Sequence, residues 1–452
     1  MPGSLGAMYD QLHSAIEDVF PRVRADLERL VAIPSISVPG FDPGPVRDAA
    51  IATAGILEES GFAGVRLLEI AGAHPAVFGE IPGPDGAPTV LLYAHHDVQP
   101  GGDLAEWDSD PFTPVVRDGR MYGRGTSDDK CGIAIHAGAA RLLDGSTPVN
   151  VKVFIEGEEE IGSLHLTKFL DTYGDLLGAD VVVISDSANW DVGAPALTTS
   201  LRGLVDCVIE VRTLDSGVHS GMFGGAVPDA LSVLVRALAT LHDERGRVAV
   251  PGLAGDDSGT IEYPEGDLRI QAGMRPGVDL IGDGSVASRL WSRPAVAVLA
   301  IDAPRLGEAI NQLVPVARAK VSMRIAPGQD PEAAMRALTG HLEEHVPWGA
   351  AVTVTPGAAA PAFRFDASGP GHRAFRTGLR EAWGRAAVDI GTGGSIPIVP
   401  ELQATFPGAE IVLTGAADPL SAAHGPNESV SLGELQRSTL AEAIALHALA
   451  GR

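Results

Sequence analysis

The chain has 452 residues, of which 45% are hydrophobic and 20% charged. That is an ordinary soluble composition, long enough for two domains rather than one core. A formal charge of −25 argues against nucleic acid or an anionic membrane as partner, and leaves small zwitterionic substrates open. Cys131 and Cys207 are the only cysteines, which excludes a disulfide framework and fits a reducing cytoplasm. The segment MPGSLGAMYDQLHSAIEDVF carries no basic region followed by an apolar run, and no apolar stretch is long enough to span a bilayer. A cytoplasmic protein is expected.

In chain order, Pro21–Ile33 reads as a helix, with Val23, Leu27, Leu30 and Val31 on one stripe. A second helix is expected from about Val46 to Ser60. Apolar strands VRLLEI, PAVFGEI and TVLLYA follow, then a helix over Asp129–Leu143, the strand VNVKVFIE, the helix SLHLTKFLDTY and the strand ADVVVIS. Such alternation predicts an α/β domain with a mostly parallel sheet covered by helices. From about Ser200 the strands SLRGLVDCVIEVRT, VAVLAID and ARAKVSMRIAP mostly alternate in polarity, with helices near Pro228–His242 and Pro331–His345. This predicts a smaller α+β insertion with a half-exposed sheet. A helix near His372–Trp383, a GGSIP loop, the strand EIVLTGA and a helix from Leu432 return the chain to the first domain. The expected division is 1–199 and 361–452 for the first domain and 200–360 for the insertion.

Five metal-capable residues lie in five short motifs. They are His95 in YAHHDVQP, Asp128 in GRGTSDDK, Glu160 in EGEEEIGS, Asp186 in VVVISDS and His424 in AAHGPNE. Two imidazoles and three carboxylates suit a pair of divalent cations, since one carboxylate can bridge them. A cation pair can generate hydroxide from water and clamp a tetrahedral transition state. His95, Glu160 and Asp186 each follow an apolar strand, where α/β sheets form their sites. A mixture of nitrogen and oxygen donors without cysteine suits Zn²⁺, Mn²⁺ or Co²⁺ and does not choose among them.

Asp97 stands two residues beyond His95, on the same side of an extended chain, and could fix an imidazole's orientation. His95 is its expected partner and His96 a bystander. Hydrolysis also needs a carboxylate free of metal to take a proton from water, which Glu159 would supply with Glu160 as ligand. Glycine N–H groups in GTGGSIP (391–397) could cradle a carboxylate, and Arg324 in VSMRIAPG could pair with it. His219 lies in a glycine-rich loop, DSGVHSGMFGG.

Read together, HHDVQP, GRGTSDDK, EGEEEIGS, SDS, HSGMFGG, VSMRIAPG, GGSIP and HGPNE resemble the M20 metallopeptidase family, and within it the dipeptidase branch that includes carnosinases and cytosolic nonspecific dipeptidases. The resemblance implies a di-metal catalytic domain interrupted by a lid that also mediates homodimerisation. It implies that Asp128 bridges the metals, with His95 and Asp186 on one and Glu160 and His424 on the other. Glu159 would then be the general base and Asp97 the orienting partner of His95. The Asp128–Asp129 peptide would be cis. Arg324, Gly394 and Ser395 would bind the substrate's C-terminal carboxylate, and His219 would reach the partner subunit's site to stabilise the oxyanion. The chain departs from the pattern at Cys131, where the family often has Gly, and at Gly391 and Thr392, where carnosinase-like loops often carry Arg-Glu. The expected activity is hydrolysis of dipeptides. An N-acyl-amino-acid amidohydrolase is the alternative, and a non-catalytic binding protein of the same fold a remote one.

Overall fold

The computed structural model describes residues 5–257, 261–394, 396 and 398–450. Two compact units divide the chain. The first comprises Met1–Thr199, Phe365–Ile390 and Pro397–Arg452, and the second Ser200–Arg364 with Gly391–Ile396.

The first unit is organised by a sheet whose strands run in the order Ala63–Leu68, Ala76–Ile81, Asn150–Glu156, Thr89–His95, Val181–Ile184 and Glu410–Leu413. The last four of these are parallel, the first two pair antiparallel, and Ala196–Leu201 continues the sheet antiparallel beyond Glu410–Leu413, so the sheet is mixed around a parallel centre. Both faces of the central strand are covered. Val90, Leu92 and Ala94 join one core with Ile133, Ala137 and Ile444, while Tyr93 on the other face meets Phe154, which meets Phe169. That two-sided burial is why these strands read as continuous apolar runs. Each fully buried Val, Leu or Ile contributes roughly 1.5–3 kcal/mol.

The register decides where function can form. His95 pairs with Glu156, Tyr93 with Ile184, and Ile184 with Leu413. The carboxyl ends of four strands therefore share one edge, and the chain leaving each carries a motif.

The second unit holds a four-stranded antiparallel sheet in the order Ala295–Asp302, Val316–Ile325, Gly203–Arg212, Ala351–Ala360. Val205, Cys207, Ile209 and Val211 alternate with more exposed neighbours, as do Ala317, Ala319, Val321 and Met323. The buried set packs with residues of the helices Ala230–Ala239 and Pro331–Glu344. The expected half-exposed sheet is present.

Some expectations need correction. The first helix runs from Leu5 to Val31, with Pro21 inside it rather than at its start. Leu12 and Ile16, both buried, extend the apolar stripe N-terminally past the proline. The strand Ala351–Ala360 was not expected, because Pro356, Gly357 and three alanines are poor strand formers. It lies at the sheet edge, where proline is tolerated, and its register breaks between Pro356 and Ala359. Helices at Glu265–Gln271, Val286–Trp291 and Ile398–Thr405 were also unforeseen. Among the described residues, no helix is long and apolar enough to cross a membrane.

Candidate metal centre

At the carboxyl edge of the first unit's sheet, the five expected ligands and Glu159 converge. Ligand atoms of His95, Glu159 and Asp186 lie within 4.8 Å of one another, and so do those of Asp128, Glu160 and His424. Asp128 joins the two groups. Its Oδ1 is 3.1 Å from His95 Nε2, and its Oδ2 is 3.0 Å from His424 Nε2. His424 Nε2 also lies 3.0 Å from Glu160 Oε2. The Asp128–Asp129 peptide is cis.

Asp97 is fully buried and braces two motifs at once. Its carbonyl lies 3.1 Å and its Oδ1 3.4 Å from His95 Nδ1, which leaves Nε2 for the site. The same carboxylate accepts the backbone N–H of Glu159 at 3.2 Å and of Glu160 at 3.0 Å, and the Ser37 hydroxyl at 2.7 Å. His96 points elsewhere, with Nε2 2.9 Å from the Pro75 carbonyl, and burial pushes its pKa down to about 4. It is a neutral core histidine.

The three glutamates of EGEEE divide by partner. Glu158 accepts the His74 and His165 N–H groups and meets His165 Nδ1, which pins the loop and keeps it out of the site. Glu160 is gripped by Gln99, whose Nε2 donates to Oε2 and whose backbone N–H donates to Oε1. Among the described residues, no such anchor holds Glu159.

Several supports went unread in the sequence. Buried Glu428, at the end of the HGPNE motif, accepts from the N–H groups of Gly125, Ser127 and Asp128 and from the Ser127 hydroxyl. Arg124 ion-pairs with it at 2.6 Å and donates to the carbonyls of Pro100 and His424. One ion pair thus fastens the Asp128 loop to the His424 loop. His424 itself has φ +62°, and Ala422 and Asn427 are also left-handed. Such conformations cost about 1–3 kcal/mol each and persist where surrounding contacts over-determine them. Lys130 does not face the centre: Nζ donates to the carbonyls of Leu30 and Ile33 at the end of the first helix.

The electrostatics call for cations. Burial pushes the Asp186 carboxyl well up, and the charges of Asp128 and Asp129 add to it. Burial raises Glu159 to about 7, opposed by His95 and reinforced by Asp128 and Glu160. Asp129 is likewise pushed up to about 7 by burial. Asp128 is drawn well below the carboxylate range, against its burial, by hydrogen bonds from His424 and His95. Carboxylates outnumber imidazoles and, among the described residues, no lysine or arginine side chain ion-pairs with them, so a pair of divalent cations fits this donor set.

Cys131 is buried beside the centre with Sγ 3.4 Å from the Ser127 carbonyl, and burial pushes its thiol well up. It is a packed thiol and lacks the thiolate character of a metal ligand.

In the second unit, His219 is exposed, and its Nδ1 accepts the Gly221 N–H at 3.1 Å. A neutral His219 ring therefore carries its proton on Nε2. Arg324 is half-buried on its strand, with no carboxylate in ion-pair range among the described residues. Gly394 has open space where a side chain would project, meeting only Thr392 Cγ2 at 3.6 Å. Ser395 lies outside the described residues. The glycine at 391 has a steric reason: a Cβ there would come within 2.6 Å of Trp291 Cβ and 2.8 Å of Ser200 Oγ.

A parallel-cored α/β unit with an imidazole–carboxylate cluster at its strand ends defines a metallohydrolase. A profile of the peptidase family M20/M25/M40 matches residues 91–448. The chain is 38% identical over 366 residues to the cysteinylglycine-S-conjugate dipeptidase of Corynebacterium striatum, covering 79% of this chain and 80% of that protein. To the Beta-Ala-His dipeptidase of Homo sapiens it is 29% identical over 288 residues, 60% of this chain and 56% of that one. Its fold is similar to human carnosine dipeptidase 1 (TM-score 0.80, 24% identity, 100% of both chains) and to the dipeptidase Dug1p from Saccharomyces cerevisiae (TM-score 0.80, 22% identity, 100% of both chains). The chain belongs to peptidase family M20/M25/M40. It is a metallopeptidase, a hydrolase of peptide bonds.

Proposed function

We propose that this peptidase hydrolyses dipeptides bearing a free C-terminal carboxylate, at a centre that holds two divalent cations, zinc foremost. Asp128 would serve both, with His95 and Asp186 as the further ligands of one cation and Glu160 and His424 of the other. The observation that carries this reading is the Asp128 carboxylate, with one oxygen facing each imidazole at 3.1 and 3.0 Å. Bound there, the cations would acidify a water and polarise the scissile carbonyl.

Glu159 is the general base. It takes a proton from the attacking water and hands it to the leaving amine nitrogen. A carboxylate beside the ligand cluster that no side-chain donor grips among the described residues suits that exchange. Asp97 orients His95. His219, with its proton on Nε2, donates to the developing oxyanion of a partner subunit's site, an arrangement carried over from the family resemblance together with a homodimer formed through the inserted domain. Arg324, Gly394 and Ser395 hold the substrate's carboxylate. The protein works in the cytoplasm, as its two free, buried cysteines suit.

The names of the relatives, which concern cysteinylglycine S-conjugates and β-Ala-His, point to dipeptides. The test compares kcat/KM for Cys-Gly, an S-substituted Cys-Gly and β-Ala-His with N-acetyl and N-succinyl amino acids. Dipeptides should lead, and amidating a good one should cost roughly 2–4 kcal/mol. Faster turnover of the N-acyl amino acids would assign the site to an amidohydrolase.

A further inference from the structure

Arg202 has an unusual environment. It is 8% exposed, and its guanidinium donates to backbone carbonyls alone: Nε to Gly393 at 3.4 Å, and Nη1 to Arg289 and Arg293 at 3.3 and 3.4 Å. Its own N–H donates to the Thr392 carbonyl at 3.1 Å. These contacts all lie within the second unit. A Cβ at Gly393 would stand 2.8 Å from Arg202 Nη2, so the glycine leaves the room that the guanidinium fills.

Arg324 belongs to the same neighbourhood: on its strand it pairs with Leu204, two residues beyond Arg202, on one side and with Ala295, two residues beyond Arg293, on the other. Burial, and after it the charge of Arg324, lowers the Arg202 pKa to about 10. Among the described residues, neither arginine has a carboxylate in ion-pair range. Buried charges are ordinarily paired, because an uncompensated one loses its hydration without return. Two guanidiniums that repel each other beside a glycine loop therefore lack an anion. Among the described residues, the guanidinium of Arg202 meets only carbonyl acceptors, at 3.3–3.4 Å.

We propose that Arg202 is a positioning residue of the substrate-carboxylate site, holding the Gly391–Gly394 backbone beside Arg324 and giving that site a second positive charge. The inference rests on the reading that Arg324 and the glycine loop receive the substrate's C-terminus. It adds a specificity: the two-arginine site selects an ionised carboxylate over a neutral end group. A mere backbone strut would treat the two alike.

The experiment measures kcat and KM for Cys-Gly and for its C-terminal amide, in the metal-loaded wild-type enzyme and in Arg202→Met. The variant should lose about 30-fold or more in kcat/KM on the acid, mainly through KM, the scale expected for removing one member of a buried charged contact. On the amide it should lose less than about threefold, so that the acid-to-amide ratio collapses. Arg202→Lys, which keeps the charge without the fork, should restore part of the ratio. Equal losses on acid and amide would reduce Arg202 to a strut and overturn the proposal, as would an unchanged ratio. If Arg202→Met does not fold, Gly393→Ala displaces the guanidinium from the other side and must lower the same ratio. A wild-type enzyme that does not distinguish acid from amide would overturn the carboxylate reading itself. A wild-type preference that survives in both variants would overturn the Arg202 inference alone.

Discussion

Glu159 and Glu160 follow one another on a single turn, yet Gln99 grips only the second. On the proposed reading, the anchored residue would hold an ion and the other would stay available for proton transfer. Glu159→Gln removes the basic oxygen while keeping shape and polarity. It should retain the wild-type metal content and lose at least about 10²-fold in kcat, as elemental analysis and steady-state kinetics would record. Near-normal turnover would take Glu159 out of the base role. The sequence made both residues conspicuous because they stand in a three-carboxylate run. It could not reveal Arg124 and Glu428, whose ion pair spans 304 positions and whose partners are backbone groups without a sequence signature. Glu428 lies inside a motif, so its location was in plain view and only its task was hidden.

Elements place these residues through register. Apolar runs and the residues that end them made the strands to His95, Glu156 and Ile184 legible, and with them the edge where the site forms. Less legible were elements stabilised by tertiary contact against local preference, such as the Ala351–Ala360 edge strand and the Pro21-containing helix. A third example bears on stability. The Pro370–Trp383 helix has no side-chain cap of its own. Glu410, on a strand, supplies one, accepting the N–H groups of Gly371 at 2.7 Å and His372 at 2.8 Å and meeting His372 Nδ1 at 2.6 Å. Burial works against the Glu410 charge, but the His372 and Gly371 donors win and hold its pKa below the usual 4.5.

Because the folded pKa is depressed, the Glu410 contribution is present above 4.5 and is lost as pH falls through the lower folded value. Glu410→Gln should therefore destabilise the protein at neutral pH by about 1–3 kcal/mol. The gap should narrow as pH drops below 4.5. Urea midpoints of both proteins across that range would measure it. A gap that widens on acidification would show the sign to be wrong.

At the scale of the whole molecule, an acidic chain encloses a centre whose own carboxylates repel one another, an imbalance that cations relieve. The expected homodimer adds a second condition for activity. His219→Ala should lower kcat by about 10²–10³-fold, as for removal of an oxyanion donor, with metal content unchanged. Mixing that variant with Glu159→Gln under subunit exchange should restore activity, because a trans arrangement collects both lesions in one site and leaves the other whole. Verified heterodimers without activity would contradict action in trans.

The proposed catalytic pair of cations would depend on Asp128, whose two oxygens face His95 and His424. Its most direct measurement is titration of chelator-stripped protein with Zn²⁺, following bound metal by elemental analysis and turnover of Cys-Gly together. Turnover should be negligible in the stripped protein, two ions should bind per chain at saturation, and full activity should appear only as the second site fills, with Asp128→Ala unable to retain the pair. Full activity with one ion bound per chain, or undiminished turnover in the stripped protein, would contradict that reading.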